Sequence, residues 1–310
     1  MEITGARKKA VKWKRFMPFY IMALPGVVYL FCNNYLPMAG IVIAFKHLDF
    51  RKGIFGSEWA GLDNFKFLFA SKNAFEITRN TLLYNGLFLV LGTVLAITLA
   101  VLMNEVQGKA ASRLYQCLIL LPFLISWVIA SYLVNAFIAA DTGLINNGIL
   151  KPLGQKPVSW YNSKQYWPAI LTICNTWKSI GYGMIIYLSS IISISQDYYE
   201  AAIIDGASKF KQIRLITLPL IKPTVITMTI LTVGRIFYSD FGLFYQVPKN
   251  SGTLYSVTRT IDVYVYNALM NNSDYGMSSA ASIYQSLVGF VLIISTNALL
   301  RKLSKDNALF

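Results

Sequence analysis

The sequence predicts an all-α integral membrane protein with six transmembrane helices, and three observations carry that expectation. Of 310 residues, 55% are hydrophobic and only 14% charged, too few charges to solvate a globular surface of that size. Apolar runs near the ~20 residues needed to cross a bilayer recur at about 17–41, 81–103, 114–139, 167–194, 219–241 and 279–300. A basic tail, Arg7, Lys8, Lys9, Lys12, Lys14 and Arg15, stands immediately before the first run. The positive-inside rule then puts the N-terminus in the cytoplasm, and six crossings return the C-terminus to the same side.

A net charge of +14 would suggest a nucleic-acid partner in a soluble protein. Here its distribution sets orientation instead, with Lys109 and Arg113 adding to the tail in a short cytoplasmic loop. A basic tail before an apolar run also opens a signal peptide. This run outlasts the roughly 7–15 residues of such a segment, and no small-residue cleavage site follows, so it reads as a retained first span. Pro18, Pro25 and Pro37 predict kinks in it or an early end.

The first outer loop, Lys46 to Asn80, contains RKGIFG, EWAGLDNF and SKNAFEITRN, and is either a small folded cap or a solvated loop. In the second, Asp141 to Tyr166, the glycines and prolines Gly143, Gly148, Pro152, Gly154 and Pro157 predict turns. Trp160, Tyr161, Tyr166 and Trp167 read as an interfacial aromatic belt at the entry to the fourth span. The third loop, about Phe241 to Ser278, is rich in tyrosines that either line a vestibule or sit at headgroup level.

Little here supports chemistry. Cys32, Cys117 and Cys174 fall in predicted spans and read as small apolar packing residues, not as a disulfide framework. His47 is the single histidine and has no partner at ligand spacing, so no metal site is expected. All fourteen acids lie outside the central portions of the predicted spans, which leaves an intramembrane enzyme without paired catalytic groups. No catalytic residue is expected.

The patterned segment is EAAIIDGASKFKQIRLITLPLIKP, Glu200 to Pro223, between the fourth and fifth spans. Asp197 to Ile204 are helix formers, and Asp205-Gly206 is a natural stop because glycine takes the left-handed conformation that ends a helix. Ser208 can cap a second helix, Lys209 to Ile216, and Pro219 then introduces the fifth span. An amphipathic loop resting on headgroups, with Lys209, Lys211, Arg214 and Lys222 toward anionic lipid, is the competing reading.

The spacing decides between them. Glu200, Ala201 and Ala202, then Gly206, Ile216, Leu218 and Pro219, reproduce EAA, three residues, G, nine residues, I, one residue, LP. The segment, residues 196–223, resembles the EAA loop of permease subunits from binding-protein-dependent ABC importers. That resemblance implies a type I importer permease (MetI-like) fold with a cytoplasmic coupling helix, in which these residues and Asp205 dock on a separate ATPase. The chain has no G-x-x-x-x-G-K-[ST] phosphate loop, so it is expected to bind no cofactor, with ATP and Mg on the partner ATPases.

The resemblance also implies a division into a basic cytoplasmic tail (1–16), a first helix with its outer loop (17–79), the permease domain (80–301) and a C-terminal tail (302–310). It implies as partners a second permease chain, forming a heterodimer or, alternatively, a homodimer, two ATPases, and an extracytoplasmic solute-binding protein, all at the bacterial inner membrane. PFYIMALPGVVYLFCNNYLPMAGIVIAFK and DNFKFLF are similar to permeases for oligosaccharides and polysaccharide fragments of the alginate type.

For the cargo path, Lys178 and Arg235 are the candidates, because a lysine near mid-membrane costs roughly 2.5–3.5 kcal/mol on insertion scales and should face protein or water. Arg235, in the outer part of the fifth span, can also snorkel. Asn175, Trp177, Tyr182 and Tyr238 nearby offer stacking faces and hydrogen bonds for a sugar. If both cations face the path, a saccharide bearing carboxylates fits best. A non-carbohydrate cargo, a secondary transporter and an intramembrane enzyme remain the alternatives.

Overall fold

The computed structural model describes residues 13–66 and 72–303; Arg7, Lys8, Lys9 and Lys12 of the basic tail, the end of DNFKFLF and the C-terminal tail beyond 303 lie outside them. The described residues are mostly helical. The labelled helices are α1 (Trp13–Leu30), α2 (Lys72–Asn104), α3 (Lys109–Leu124), α4 (Trp127–Ile138), α5 (Trp167–Ile192), α6 (Gln196–Ile204), α7 (Lys209–Gln212), α8 (Leu218–Val233), α9 (Phe241–Gln246), α10 (Ile261–Asn272) and α11 (Tyr275–Leu303). Among the described residues four helical runs are long and apolar enough to cross a membrane, Phe16–Phe45, Ala74–Asn104, Lys209–Val233 and Tyr275–Ala298, and counting each of two bent pairs as one span brings the number to six.

The prolines of the first span do not end it. The helix widens to a π turn at Phe31–Tyr35 and tightens to 3-10 geometry at Leu36–Phe45, with Pro37 in the first turn of the new segment. A π turn shifts the hydrogen-bond register by one residue, and so accommodates a proline that has no N–H to give. The same device appears at Ile213–Thr217, just before Pro219. The fifth span therefore begins at Lys209 and runs unbroken to Val233. It is not a separate Lys209–Ile216 helix followed by a span that Pro219 opens.

The expected third span, 114–139, is two helices. α3 and α4 meet at 97°, the turn being made by Ile125 and Ser126 in extended conformation. Pro122 removes a donor from the last turn of α3, and the Ser126 hydroxyl caps α4 by accepting from the Ile129 N–H at 3.3 Å. At 16 residues, α3 is ~24 Å long, short of the ~30 Å hydrocarbon core. The expected fifth span also stops early. Its helix ends at Val233, and Arg235 lies beyond it in a run of turns before α9.

α2 and α5 form the central pair, packed along much of their lengths. Small residues set their separation: a Cβ on Gly183 would sit 3.0 Å from the Ala96 Cβ, and Ala96 and Ala100 are buried. Two apolar clusters flank the middle of this pair. One joins Tyr84, Trp167, Leu171, Cys174, Leu243 and Phe244, and the other joins Ala96, Ala100, Met184, Leu188, Ile191 and Ile221. α3 crosses α5 at backbone contact, where a Cβ on Gly181 would lie 2.3 Å from the Ile119 oxygen.

The loop after the first span is a folded cap. Lys46–His47 pairs antiparallel with Glu58–Trp59, and the buried Lys46 donates to the Phe55 and Ser57 carbonyls at 2.7 and 3.2 Å. Asn64 ties the cap by donating to the carbonyls of Ala44 and Lys46 at 2.9 and 3.0 Å, and Gly276 approaches its amide closely. Of the aromatic residues expected as a belt, Tyr166 is exposed, Trp160 and Tyr161 are half-buried against the apolar cluster, and Trp167 is inside it. Trp167 is fully buried, its Nε1–H donates to the Trp160 carbonyl at 2.9 Å, and Trp160 donates to the Asn146 side chain at 3.0 Å. Buried indoles need such partners, which the interrupted loop supplies. Tyr245 belongs to a similar cluster, stacked on Phe241 and edge-on to Tyr266. Of the cysteines, only Cys174 is buried; Cys32 and Cys117 are exposed on the isolated chain.

Candidate functional site

The patterned segment folds as a helix, a tight turn and a re-entering helix. Ser195 caps α6, accepting from the Asp197 N–H at 3.3 Å, and Asp197 places an acid in the first turn, where the helix dipole favours it. The end of α6 is a Schellman motif. Ala207 N–H donates to the Ala202 carbonyl at 2.8 Å, Gly206 N–H donates to Ile203 at 3.0 Å, and Gly206 takes φ +72°. Ser208 then caps α7 by accepting from Lys211 N–H at 3.5 Å.

Tertiary bonds hold this turn in place. Gln212 is buried and donates to the Ala207 carbonyl at 3.0 Å, while the Tyr199 and Thr217 hydroxyls meet at 2.9 Å. Lys209 pairs with Glu105 at 3.1 Å, which places the α2–α3 turn at the same end of the molecule. Glu200, Ala201, Asp205, Gly206, Leu218 and Pro219 are exposed, and Ala202 and Ile216 are half-buried. Around them project Tyr198, Ile203, Ile204, Phe210 and Leu215, with Ile204 86% exposed and Phe210 71%. Large apolar side chains clustered on a polar turn are what a docking surface for a protein or a membrane presents. Glu105, Tyr199, Gln212 and Thr217 are not marked by the EAA spacing; Glu105 reaches Lys209 104 residues away, Tyr199 meets Thr217 18 residues on, and Gln212 turns back on the Ala207 carbonyl five residues before it.

A cavity of about 370 Å³ opens between the middles of α2 and α5 and the C-terminal end of α8, between the two apolar clusters. Asn175, Tyr182, Arg235 and Tyr238 line it, four of the six residues expected to meet cargo. Asn85, Thr93, Ser179, Tyr187 and Asp240 join them. An adjoining cavity of about 330 Å³ shares Asn175, Ser179 and Asp240 and is walled by Lys178, Phe123, Ile125, Ser126 and Trp127. Trp177 lines neither.

Polar groups in this region order the backbone. Asn85 donates to the carbonyls of Ile236 and Tyr238 at 2.7 and 3.2 Å, covering acceptors freed where α8 ends. Asp240 caps α9 by accepting from the Leu243 N–H at 3.3 Å, and its other oxygen accepts from the Trp127 Nε1–H at 2.6 Å. Lys178 donates to the carbonyls of Pro122, Phe123 and Ile125 at 3.3, 2.8 and 2.6 Å. Asn85 and Asp240 carried signals in the sequence: an amide within an apolar run, and an acid directly before one.

Residues 92–305 match the family described as the binding-protein-dependent transport system inner membrane component. The chain is 33% identical over 302 residues to protein LplB of Bacillus subtilis (strain 168), covering 96% of this chain and 94% of LplB. It is 34% identical over 287 residues to the polygalacturonan/rhamnogalacturonan transport system permease protein YteP of the same organism, covering 93% and 88%. Among solved structures it superposes with a TM-score of 0.85, at 32% identity over 94% of this chain and 97% of the other, on a chain of a bacterial ABC transporter involved in the import of the acidic polysaccharide alginate. The α2–α5 scaffold with its exposed helical turn thus carries a known kind of sequence, and the chain belongs to the inner membrane components of binding-protein-dependent transport systems, the permease subunits of ABC importers.

Proposed function

We propose that this chain is one permease half of an ATP-driven importer for an acidic oligosaccharide, received from an extracytoplasmic binding protein and paired with a second, similar permease in a heterodimer. The observation that carries the cargo is the lining of the larger cavity: a guanidinium, two amides and three tyrosines, from Arg235, Asn85, Asn175, Tyr182, Tyr187 and Tyr238. Sugar rings stack on aromatic faces and take hydrogen bonds from amides, and a uronate carboxylate matches an arginine. Relatives named for polygalacturonan and alginate transport agree with it.

The exposed turn from Glu200 to Pro219 is the docking element for a separate ATPase, with Ile203, Ile204 and Phe210 as apolar anchors in its groove. It lies on the cytoplasmic side with both termini. ATP and Mg bind to the ATPases, and this chain binds no cofactor. Movement of the turn passes through α8, continuous with it from Lys209, to the cavity that α8 lines with Met228 and Thr232. Co-purification with an ATPase, followed by proteoliposome uptake of a glycan panel with and without ATP, tests this reading. Uptake of oligouronides that needs both ATP and binding protein is expected; transport intact without any ATPase refutes it.

A further inference from the structure

The sequence offers Lys178 and Arg235 as a pair of cations for an acidic cargo, and the structure separates them. An ammonium has three N–H donors. In Lys178 all three have acceptors, the carbonyls of Pro122, Phe123 and Ile125. These carbonyls stand where α3 ends and the chain turns by 97°, the place where a helix leaves acceptors unmet and where its dipole favours a cation. The ammonium also lies 5.7 and 5.4 Å from the ring centroids of Phe123 and Trp127, on either side of the turn. A carboxylate bound by Lys178 would have to displace a backbone carbonyl from it.

The opposite wall of the elbow is held as well. Asp240 accepts from the Trp127 indole and from the α9 backbone, so the acid bordering both cavities is engaged with protein donors. Gly242 sits against the Trp127 ring, where an added Cβ would come within 2.3 Å of it. Arg235 differs from both. Among the described residues its guanidinium makes no ion pair and no hydrogen bond, and it lines the larger cavity beside Asn175, Tyr182 and Tyr238. A planar fork of donors left open in a cavity fits a carboxylate through two parallel hydrogen bonds.

We propose that Arg235 by itself is the cation that selects a carboxylate-bearing saccharide in the cavity, and that Lys178 is a positioning residue that holds the elbow walling the adjoining space. This assignment rests on the acidic-oligosaccharide reading and divides its labour. The experiment uses the assembled permease–ATPase complex and measures binding of an oligogalacturonide and of the same oligosaccharide with its carboxyls reduced to alcohols, together with thermal unfolding.

Arg235→Gln is expected to weaken oligogalacturonide binding about 10- to 100-fold, the range for loss of a charged hydrogen-bond partner, and to leave the reduced ligand unaffected. Arg235→Lys, with charge but no fork, falls between. Lys178→Met is expected to lower the unfolding midpoint and to weaken both ligands by the same factor, keeping the acid-to-reduced ratio of wild type, with partial recovery in Lys178→Arg. Loss of acid preference in Lys178→Met, or its retention in Arg235→Gln, overturns the assignment alone. Wild-type complex that binds no oligogalacturonide overturns the cargo reading and the assignment with it.

Discussion

Gly206 gives the most direct test of how the exposed turn works. It sits at the residue after the α6 cap with φ +72°, flanked by the two bonds that close the Schellman motif. An added Cβ there would meet nothing within 4 Å. The cost of a side chain in the isolated subunit is therefore conformational and not steric. For an ordinary L-residue the left-handed region costs about 1–2 kcal/mol, a factor of roughly 5–30 in the population of the correctly turned loop. Asparagine tolerates that region several-fold better than other residues, and a β-branched residue tolerates it worst. Coupled transport should thus fall in the order wild type, Gly206→Asn, Gly206→Ala, Gly206→Val. The assay is oligosaccharide imported per ATP hydrolysed in proteoliposomes containing both permeases, the ATPases and the binding protein, with unfolding midpoints to show that each variant is inserted and folded. Asparagine as damaging as valine would refute the backbone argument, because the constraint would then be room in the partner's groove.

Gly181→Ala puts a methyl 2.3 Å from the Ile119 oxygen and 2.9 Å from the Leu120 Cα, so α3 and α5 must separate, at a cost of about 1–3 kcal/mol. Detergent unfolding should show a lowered midpoint, and uptake should fall with it because the elbow held by Lys178 lies one turn away. Gly276→Ala drives a methyl to 2.6 Å from the Asn64 amide, which now bonds two cap carbonyls. Faster proteolysis within residues 46–66 is expected, with little change in the unfolding of the helical bundle. Glu105→Gln removes the exposed pair with Lys209, worth about 0–1 kcal/mol. Its midpoint should move little, and less still in high salt; a large drop would mean that this contact, and not Gln212 and Tyr199, holds the turn.

Much of this was legible along the chain. Ser195 and Ser208 before helix formers, and Gly206 after Asp205, specify caps and a stop through bonds spanning only a few residues, and those elements form where the pattern puts them. The elbow at Ile125–Ser126 was not legible, because α4 is as apolar as a span and hydropathy continues across a 97° bend without a break. Likewise apolar residues continue past Val233, so Arg235 reads as part of a helix that has already ended. Trp160 and Trp167 have the composition of an interfacial belt, and only the packed fold shows Trp167 buried, its indole bonded to the Trp160 carbonyl, with Trp160 half-buried and bonded to Asn146.

Along the chain alone, then, one can read that this protein lives in a membrane, where its apolar segments lie, and which stretch between them folds as a capped turn, since these depend on hydropathy and on bonds between near neighbours. What these charged groups meet was settled by tertiary packing. Lys178 finds its three acceptors 53 to 56 residues away, Asp240 finds Trp127 113 residues away, and Arg235 is left facing a cavity. The cost of carrying a charge into the membrane can be read from residue type alone. Which group answers that charge, a carbonyl of the protein or a carboxylate of the cargo, depends on contacts that exist only once distant segments are packed together.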